Sequence, residues 1–115
     1  MKNDPASSDI TSRQNRSDVV PLKGEIDLHV SPTVTATLND VIDNKPERLV
    51  VDLSEVSYID NAGLAALIQA MQKVEGYQGK FMLAGLQETV RSIFEISRLD
   101  QVFQIFPDAD VALSG

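Results

Sequence analysis

Residues 49–67, LVVDLSEVSYIDNAGLAAL, constrain the fold more than any other part of the sequence. An apolar strand leads through the acidic turn Asp60-Asn61-Ala62-Gly63 into the first turn of an apolar helix. Backbone N–H groups at the start of a helix are unpaired and carry a partial positive charge, so a side chain there is exposed and electrostatically sensitive. The segment therefore predicts a strand, an exposed corner and a helix, with the corner available for contact with another protein.

The length and composition of the chain indicate one globular domain with one hydrophobic core. The chain has 115 residues, of which 43% are hydrophobic and 23% charged. It contains no cysteine, which excludes disulfides and thiolate metal sites. The net charge of −7 opposes nonspecific binding to nucleic acid or to anionic membranes, because both require clustered Lys and Arg. Solubility alone is the simpler explanation of that charge.

The N-terminal residues predict neither a signal peptide nor a membrane anchor. Residues 1–8 are polar and contain a proline, so we expect a flexible leader there and a single domain over residues 9–115. No apolar run approaches the roughly 20 residues that span a bilayer. We therefore expect a cytoplasmic protein without membrane insertion.

Strand and helix patterns alternate along the chain and predict an α/β fold. We expect a mainly parallel or mixed sheet of four or five strands with helices packed on it. Residues 9–13 could pair, through a turn at residues 14–17, with a strand at residues 19–22. That strand continues to a bend at Gly24, where glycine permits a backbone geometry that is closed to other residues.

The next helix and strand carry stronger signals. Ser31 followed by Pro32 predicts a helix start capped by the Ser31 side chain, and the helix should run to about residue 43. Its apolar face consists of Val34, Leu38, Val41 and Ile42. Residues 48–53 predict a strand covered on both faces, because their apolar residues follow one another without alternation.

The second half of the chain continues the alternation. After the corner, apolar residues recur with helical spacing as far as Gly76. The remaining predicted elements are a strand at residues 80–84, a helix at 89–97 with Val90, Ile93, Phe94 and Ile96 on its apolar face, a strand at 102–106 and a helical turn at 108–113. The aromatic residues Phe94, Phe103 and Phe106 are expected in the core.

Two aspartates should meet at one edge of the sheet. Asp27 and Asp60 each follow a predicted strand, and the carboxyl ends of parallel strands lie at the same edge. They could form an acid/base pair, although the sequence supplies no substrate pocket between them. Simpler roles are a helix cap for Asp60 and a turn residue for Asp27.

The sequence carries little that predicts catalysis or cofactor binding. His29 is the only histidine, and we interpret it as a loop residue that borders a contact face. A Ser-His-Asp triad is formally possible, but no G-x-S-x-G turn is present. The glycines are scattered and match no phosphate-binding loop. We therefore predict a non-enzymatic protein without catalytic residues, metal ligands or a cofactor.

Three motifs in order resemble the STAS domain family, in particular the bacterial anti-sigma factor antagonists. They are Gly24-Glu25-Ile26-Asp27, then LVVDLSEVSYIDNAGLAALI, then SIFEISRLDQVFQIFPDADVAL. The resemblance covers roughly residues 19–113 and implies a mainly parallel sheet backed by helices. It also implies binding to an anti-sigma factor that is a serine kinase and holds a sigma factor, which the antagonist displaces. A serine phosphatase regulator is a further candidate partner.

The resemblance also indicates which residues contact the partner. It implies a partner-binding surface made of Asp27, Asp60, Asn61, Ala62, Gly63 and Leu64. We add His29 to this surface, because we interpret it as a loop residue that borders the contact face. Family members are switched by phosphorylation of a Ser or Thr directly after the aspartate, and here that position is Asn61. An amide has no hydroxyl that could accept a phosphoryl group. The sequence therefore predicts an antagonist that is not switched off by phosphorylation at this position.

Other interpretations stay open at this point. Ser57 and Ser54 are nearby hydroxyls that could replace the missing phosphorylation site. The chain could instead be the STAS subunit of an ABC transporter of lipids or solutes, with its corner against the transport ATPase. It could also be a non-phosphorylatable scaffold in a signalling complex. These alternatives share one fold, because function lies in the surface that a fold carries.

Overall fold

The computed structural model describes residues 16–114, which form a parallel sheet with helices on both of its faces. In chain order the elements are β1 (Ser17–Ile26), α1 (Ser31–Ile42), β2 (Arg48–Ile59), α2 (Asn61–Gly76), β3 (Lys80–Ala84), α3 (Glu88–Ile96), a 3-10 helix (Leu99–Gln101), β4 (Gln104–Phe106) and α4 (Ala109–Ser114). The four strands pair in parallel in the order β1-β2-β3-β4. The predicted α/β fold is confirmed.

The central strand β2 is covered on both faces, as its unbroken apolar run predicts. Leu49 and Val51 belong to the main core, which also contains the buried residues of α1, α2 and α3. Val50 points to the opposite face, where it packs with Met82 and with Ala112 of α4. All three residues of the run are fully buried, because helices on opposite faces shield its alternate side chains.

The N-terminal half of the sheet differs from the prediction at Ser17 and agrees with it at Gly24. Ser17 is the first residue of β1, not part of a turn. Gly24 has a φ of 80°, and the pairing of β1 with β2 shifts register between Gly24 and Glu25, which confirms the predicted bend. The predicted hairpin partner at residues 9–13 and the leader at residues 1–8 lie outside the described residues.

Strand β2 is longer than the predicted strand at residues 48–53, because it continues to Ile59. In its second half Val56 and Ile59 are buried, although they are three residues apart. A regular strand would place residues three apart on opposite faces. Register shifts in the pairing with β1 remove this alternation, so the apolar pattern does not identify the segment as a strand.

Helix α1 begins differently from the prediction. Its cap position is Val30, and Ser31 is the first helical residue, so Ser31 does not cap the helix. Ser31 is buried, and its hydroxyl donates to the backbone oxygen of Leu28 at 3.4 Å. The predicted apolar face of the helix is confirmed, with Val34, Leu38 and Ile42 buried and Val41 packed at the margin of the core.

In the C-terminal third, the structure differs from the prediction in the start of the last strand and in the burial of two side chains, Phe106 and Ile96. Strand β4 covers only residues 104–106, because residues 102 and 103 belong to the turn that ends a 3-10 helix, where their N–H groups donate to the carbonyl oxygen of Leu99. Phe94 and Phe103 are core residues in edge-to-face contact, with ring centroids 5.6 Å apart, whereas Phe106 is partly buried. Ile96 was expected on the apolar face of α3, but it is 84% exposed because the helix ends there.

Candidate functional site

The two aspartates meet at one edge of the sheet, as predicted. Ile26 and Ile59 are paired at the ends of β1 and β2, and Asp27 and Asp60 follow them directly. The backbone N–H of Asp60 donates to the carbonyl oxygen of Ile26 at 3.1 Å. The carboxyl ends of the two strands therefore place the turn before α1 next to the start of α2.

The Asp60 carboxylate joins these two segments. Its Oδ1 atom accepts a hydrogen bond of 3.0 Å from the N–H of Gly63, which makes Asp60 the N-cap of α2. Its Oδ2 atom accepts a hydrogen bond of 3.1 Å from the N–H of Leu28 in the turn before α1. The predicted capping role is confirmed, and one side chain holds both segments at a fixed distance.

Asp27 organises the turn that leads into α1. Its Oδ1 atom accepts hydrogen bonds from the N–H groups of His29 at 3.0 Å and Val30 at 3.1 Å. Its backbone oxygen accepts from the N–H groups of Val30 at 3.1 Å and Ser31 at 2.8 Å. Asp27 therefore acts as a turn residue, because its carboxylate satisfies backbone donors that precede the helix.

The residues after Asp60 differ widely in exposure. Asn61, the first residue of α2, is exposed, whereas Ala62 is half-buried and Gly63 and Leu64 are buried. Gly63 is the point at which the helix touches the sheet, since a Cβ atom there would lie 2.8 Å from the backbone oxygen of Ile26. Of the first turn of α2, a partner would therefore meet mainly the Asn61 side chain.

The structure brings the residues of the predicted partner-binding surface together at one corner. They are Asp27, His29, Asp60, Asn61, Ala62, Gly63 and Leu64. Their contact with a partner stays a prediction.

Within residues 16–114 no group of three or more His, Cys, Asp or Glu side chains is arranged to hold a metal ion.

Sequence reasoning missed Leu28, which lies inside this corner. Its side chain is 69% exposed, although its backbone is fixed by Asp60. Val30, two residues later, is 36% exposed. The sequence signal that could have identified Leu28 was an apolar residue directly after Asp27, in a turn outside the predicted strands and helices.

The alternative phosphorylation sites Ser54 and Ser57 lie on β2, before the corner. Both residues are exposed. The N–H of Ser54 donates to Asp52 Oδ1 at 2.9 Å, and its carbonyl oxygen accepts from Gln87 Nε2 at 2.8 Å. Neither serine occupies the start of α2, so neither takes the position of Asn61.

In the described part of the chain no helix has the length and apolar character needed to cross a membrane.

Comparison with known proteins agrees with this architecture. The profile of the STAS domain matches residues 9–112. The anti-sigma-F factor antagonist RsfB of Mycobacterium tuberculosis is 30% identical over 84% of this chain and 79% of that protein. The anti-sigma-B factor antagonist of Listeria monocytogenes is 30% identical over 86% of this chain and 87% of that protein.

Two solved structures of anti-sigma factor antagonists match the fold of this chain. The crystal structure of an anti-sigma factor antagonist from Mycobacterium paratuberculosis matches with a TM-score of 0.78 and 30% identity, over 85% of this chain and 83% of that chain. The SpoIIAA antagonist in its unphosphorylated form, at 19% identity and a TM-score of 0.63, shares the fold. The chain therefore belongs to the STAS domain family, among relatives named as anti-sigma factor antagonists.

Proposed function

We propose that this chain binds an anti-sigma factor of the serine-kinase type, displaces the sigma factor that it holds, and is not switched off by phosphorylation at position 61. The names of the relatives support the class of partner. The corner formed by Asp27, His29 and residues 60–64 is the proposed docking surface. Binding alone performs this function, so no catalytic residue or cofactor is required.

The position of Asn61 supports the proposal that phosphorylation does not switch this protein off. It is the first residue of α2, it is exposed, and it follows the capping residue Asp60. A kinase bound at this corner would therefore meet an amide where an antagonist that can be phosphorylated presents a hydroxyl. An amide cannot be phosphorylated by the transfer that modifies serine.

A phosphate at position 61 would change the charge of the docking surface. A phosphoryl group would add about −1.5 to −2 charges to the docking surface, beside the carboxylate of Asp60. Asn61 is neutral and small, and it corresponds to the unphosphorylated state of such a surface. We infer that control comes from the amount of the antagonist or from competing partners, in the cytoplasm where sigma factors act.

An affinity pull-down at endogenous protein level tests the proposed partner. The tagged chain is compared with Asp60→Lys, which reverses a charge at the docking surface and removes the acceptor of the Gly63 and Leu28 N–H groups. Glu95→Lys reverses a charge at an exposed position of α3. We expect mass spectrometry to identify a kinase-fold anti-sigma factor that is retained by the parent and by Glu95→Lys, and that is lost with Asp60→Lys.

Two other results would contradict the proposal. Recovery of a transport ATPase in place of the anti-sigma factor would establish the transporter-subunit function. Retention of the anti-sigma factor by Asp60→Lys would exclude the corner as the docking surface. If the anti-sigma factor is retained as expected, its incubation with the parent chain and MgATP should leave the mass of the parent unchanged.

A further inference from the structure

The turn between β1 and α1 presents an apolar side chain at the docking surface. Leu28 is 69% exposed and directly follows Asp27, and its N–H donates to the carboxylate of Asp60. A single exposed leucine is common on protein surfaces and by itself indicates nothing. The surroundings of Leu28 distinguish it from such a residue.

The backbone around Leu28 is held from both sides. Asp60 fixes the N–H of Leu28, and Asp27 accepts four hydrogen bonds through its carboxylate and its carbonyl oxygen. The carbonyl oxygen of Leu28 accepts from the Ser31 hydroxyl. A side chain on a fixed backbone loses less conformational freedom on binding than one on a mobile loop, so its contact contributes more to affinity.

The hydrogen bonds of Asp60 assign it a role different from direct contact. Both of its carboxylate oxygens accept backbone hydrogen bonds, from Gly63 and from Leu28. Each oxygen is therefore engaged within the chain before a partner arrives. Asp60 sets the position of Leu28 relative to Asn61 and to the start of α2.

We propose that Leu28 is an apolar contact residue for the anti-sigma factor, and that Asp60 is a positioning residue that holds the Leu28 turn. The partner should offer an apolar pocket for Leu28. This inference rests on the proposed function, because it names the chemistry by which the same corner is recognised. It adds a residue that lies outside the surface inferred from the family resemblance.

Truncation of the side chain tests the contact. Leu28→Ala, Leu28→Met and the control Ile96→Ala are titrated calorimetrically against the purified kinase-type anti-sigma factor that the parent retains. Leu28→Ala should weaken binding about tenfold or more, because it removes apolar surface that the partner would bury. Leu28→Met should stay close to the parent, because it keeps the apolar volume. Ile96→Ala removes an even more exposed apolar side chain from the end of α3, and binding should not change.

A double-mutant cycle tests the role of Asp60. Asp60→Asn leaves a single acceptor oxygen for two N–H donors, so either the cap or the bond to Leu28 is lost. If Asp60 acts through Leu28, the weakening caused by Asp60→Asn should disappear in the Leu28→Ala background. A role in stability alone would give the same weakening in both backgrounds, and that additive result would overturn the positioning role.

The possible failures are distinguishable. If the parent binds the anti-sigma factor and Leu28→Ala binds equally tightly, the contact role is wrong while the proposed function stands. If the parent binds no kinase-type anti-sigma factor, the proposed function fails and this inference fails with it. Leu28 is exposed, so thermal unfolding should show that Leu28→Ala is folded and that any loss of binding is local.

Discussion

Gly63 in the first turn of α2 lies against Ile26 at the end of β1. A Cβ atom on Gly63 would lie 2.8 Å from the backbone oxygen of Ile26 and 2.8 Å from its Cγ2 atom. It would also lie 2.6 Å from Cγ1 of Ile59 at the end of β2. A backbone oxygen cannot turn aside as a flexible side chain can. The start of α2 can therefore approach the sheet this closely only because residue 63 has no side chain.

Replacing this glycine should separate the helix from the sheet. We expect Gly63→Ala to lower the free energy of unfolding by about 1–3 kcal/mol, the usual cost of overpacking. Alanine favours helices by about 1 kcal/mol over glycine, so intrinsic helix propensity predicts the opposite sign. Gly76→Ala is the matched control, because a Cβ atom at that end of α2 would meet nothing within 4 Å. Urea unfolding measures both, and a stable Gly63→Ala variant would contradict the close contact.

Restoring a hydroxyl at position 61 should restore phosphorylation. With the cognate anti-sigma kinase and MgATP, we expect intact-mass spectrometry to find one added phosphate on Asn61→Ser and none on the parent. The exposed first position of α2 makes the new hydroxyl accessible. Asn61→Ala controls for the loss of the amide and should stay unmodified. Stoichiometric phosphate on the parent would contradict the proposal. Ser54 and Ser57 would then be the candidate phosphorylation sites.

A negative charge at position 61 should affect folding and docking in opposite directions. Asn61→Asp places a carboxylate at the start of α2, where the helix dipole stabilises it by about 0.3–1 kcal/mol. The same charge beside Asp60 should weaken docking of the kinase, and the weakening should shrink at high salt. Thermal unfolding and calorimetric titration measure the two effects separately. Binding as tight as that of the parent would contradict the electrostatic explanation of the phosphate switch.

The sequence predicts the parts of the fold that have regular periodicity. The unbroken run at Leu49, Val50 and Val51 identifies a strand that is buried on both faces, and α4 covers the second face as required. The second half of β2 could not be predicted in this way. Val56 and Ile59 are buried three residues apart because the register of pairing with β1 shifts, and no local pattern in β2 encodes that shift.

The candidate site was predictable in composition but not in its contacts. The positions of Asp27 and Asp60 follow from strand ends, since parallel strands end at one edge. The bond from Leu28 to Asp60 depends on the approach of two distant segments, which single-sequence reasoning does not supply. Leu28 was missed for this reason. Ser31 was assigned a capping role because Ser before Pro is a common helix start, whereas in the structure the carboxylate of Asp27 accepts the N–H groups of His29 and Val30 before the helix.

The apolar face of α3 supplies a direct comparison of a core residue with an exposed one. Phe94 is fully buried and packs edge-to-face on Phe103, whereas Ile96, two residues later, is 84% exposed. We expect Phe94→Ala to lower the free energy of unfolding by about 3–5 kcal/mol. Ile96→Ala should change it by less than about 0.5 kcal/mol. Denaturant unfolding compares them, and a large effect at Ile96 would mean that its side chain is covered in solution.

Tyr77 should make stability depend on pH in the alkaline range. Its O–H donates to the backbone oxygen of Pro46 at 2.8 Å. Burial, and to a smaller extent the negative charge of Asp18, raises the pKa of Tyr77 above its ordinary value. The folded chain therefore holds the phenolic proton more tightly than the unfolded chain. The resulting stabilisation is complete below the pKa of the unfolded chain, about 10, and is lost as the pH rises through the folded pKa.

The variant Tyr77→Phe isolates this contribution, since phenylalanine has no ionisable group. At neutral pH it should lose about 0.5–1.5 kcal/mol with the hydrogen bond to Pro46. As the pH rises above about 10, its free energy of unfolding should fall less steeply than that of the parent, so the two curves converge. Tyr58→Phe, which removes the phenol of the more exposed of the two tyrosines, is the control. Parallel curves for Tyr77→Phe and the parent would show that the phenol at position 77 titrates alike in the folded and unfolded chains.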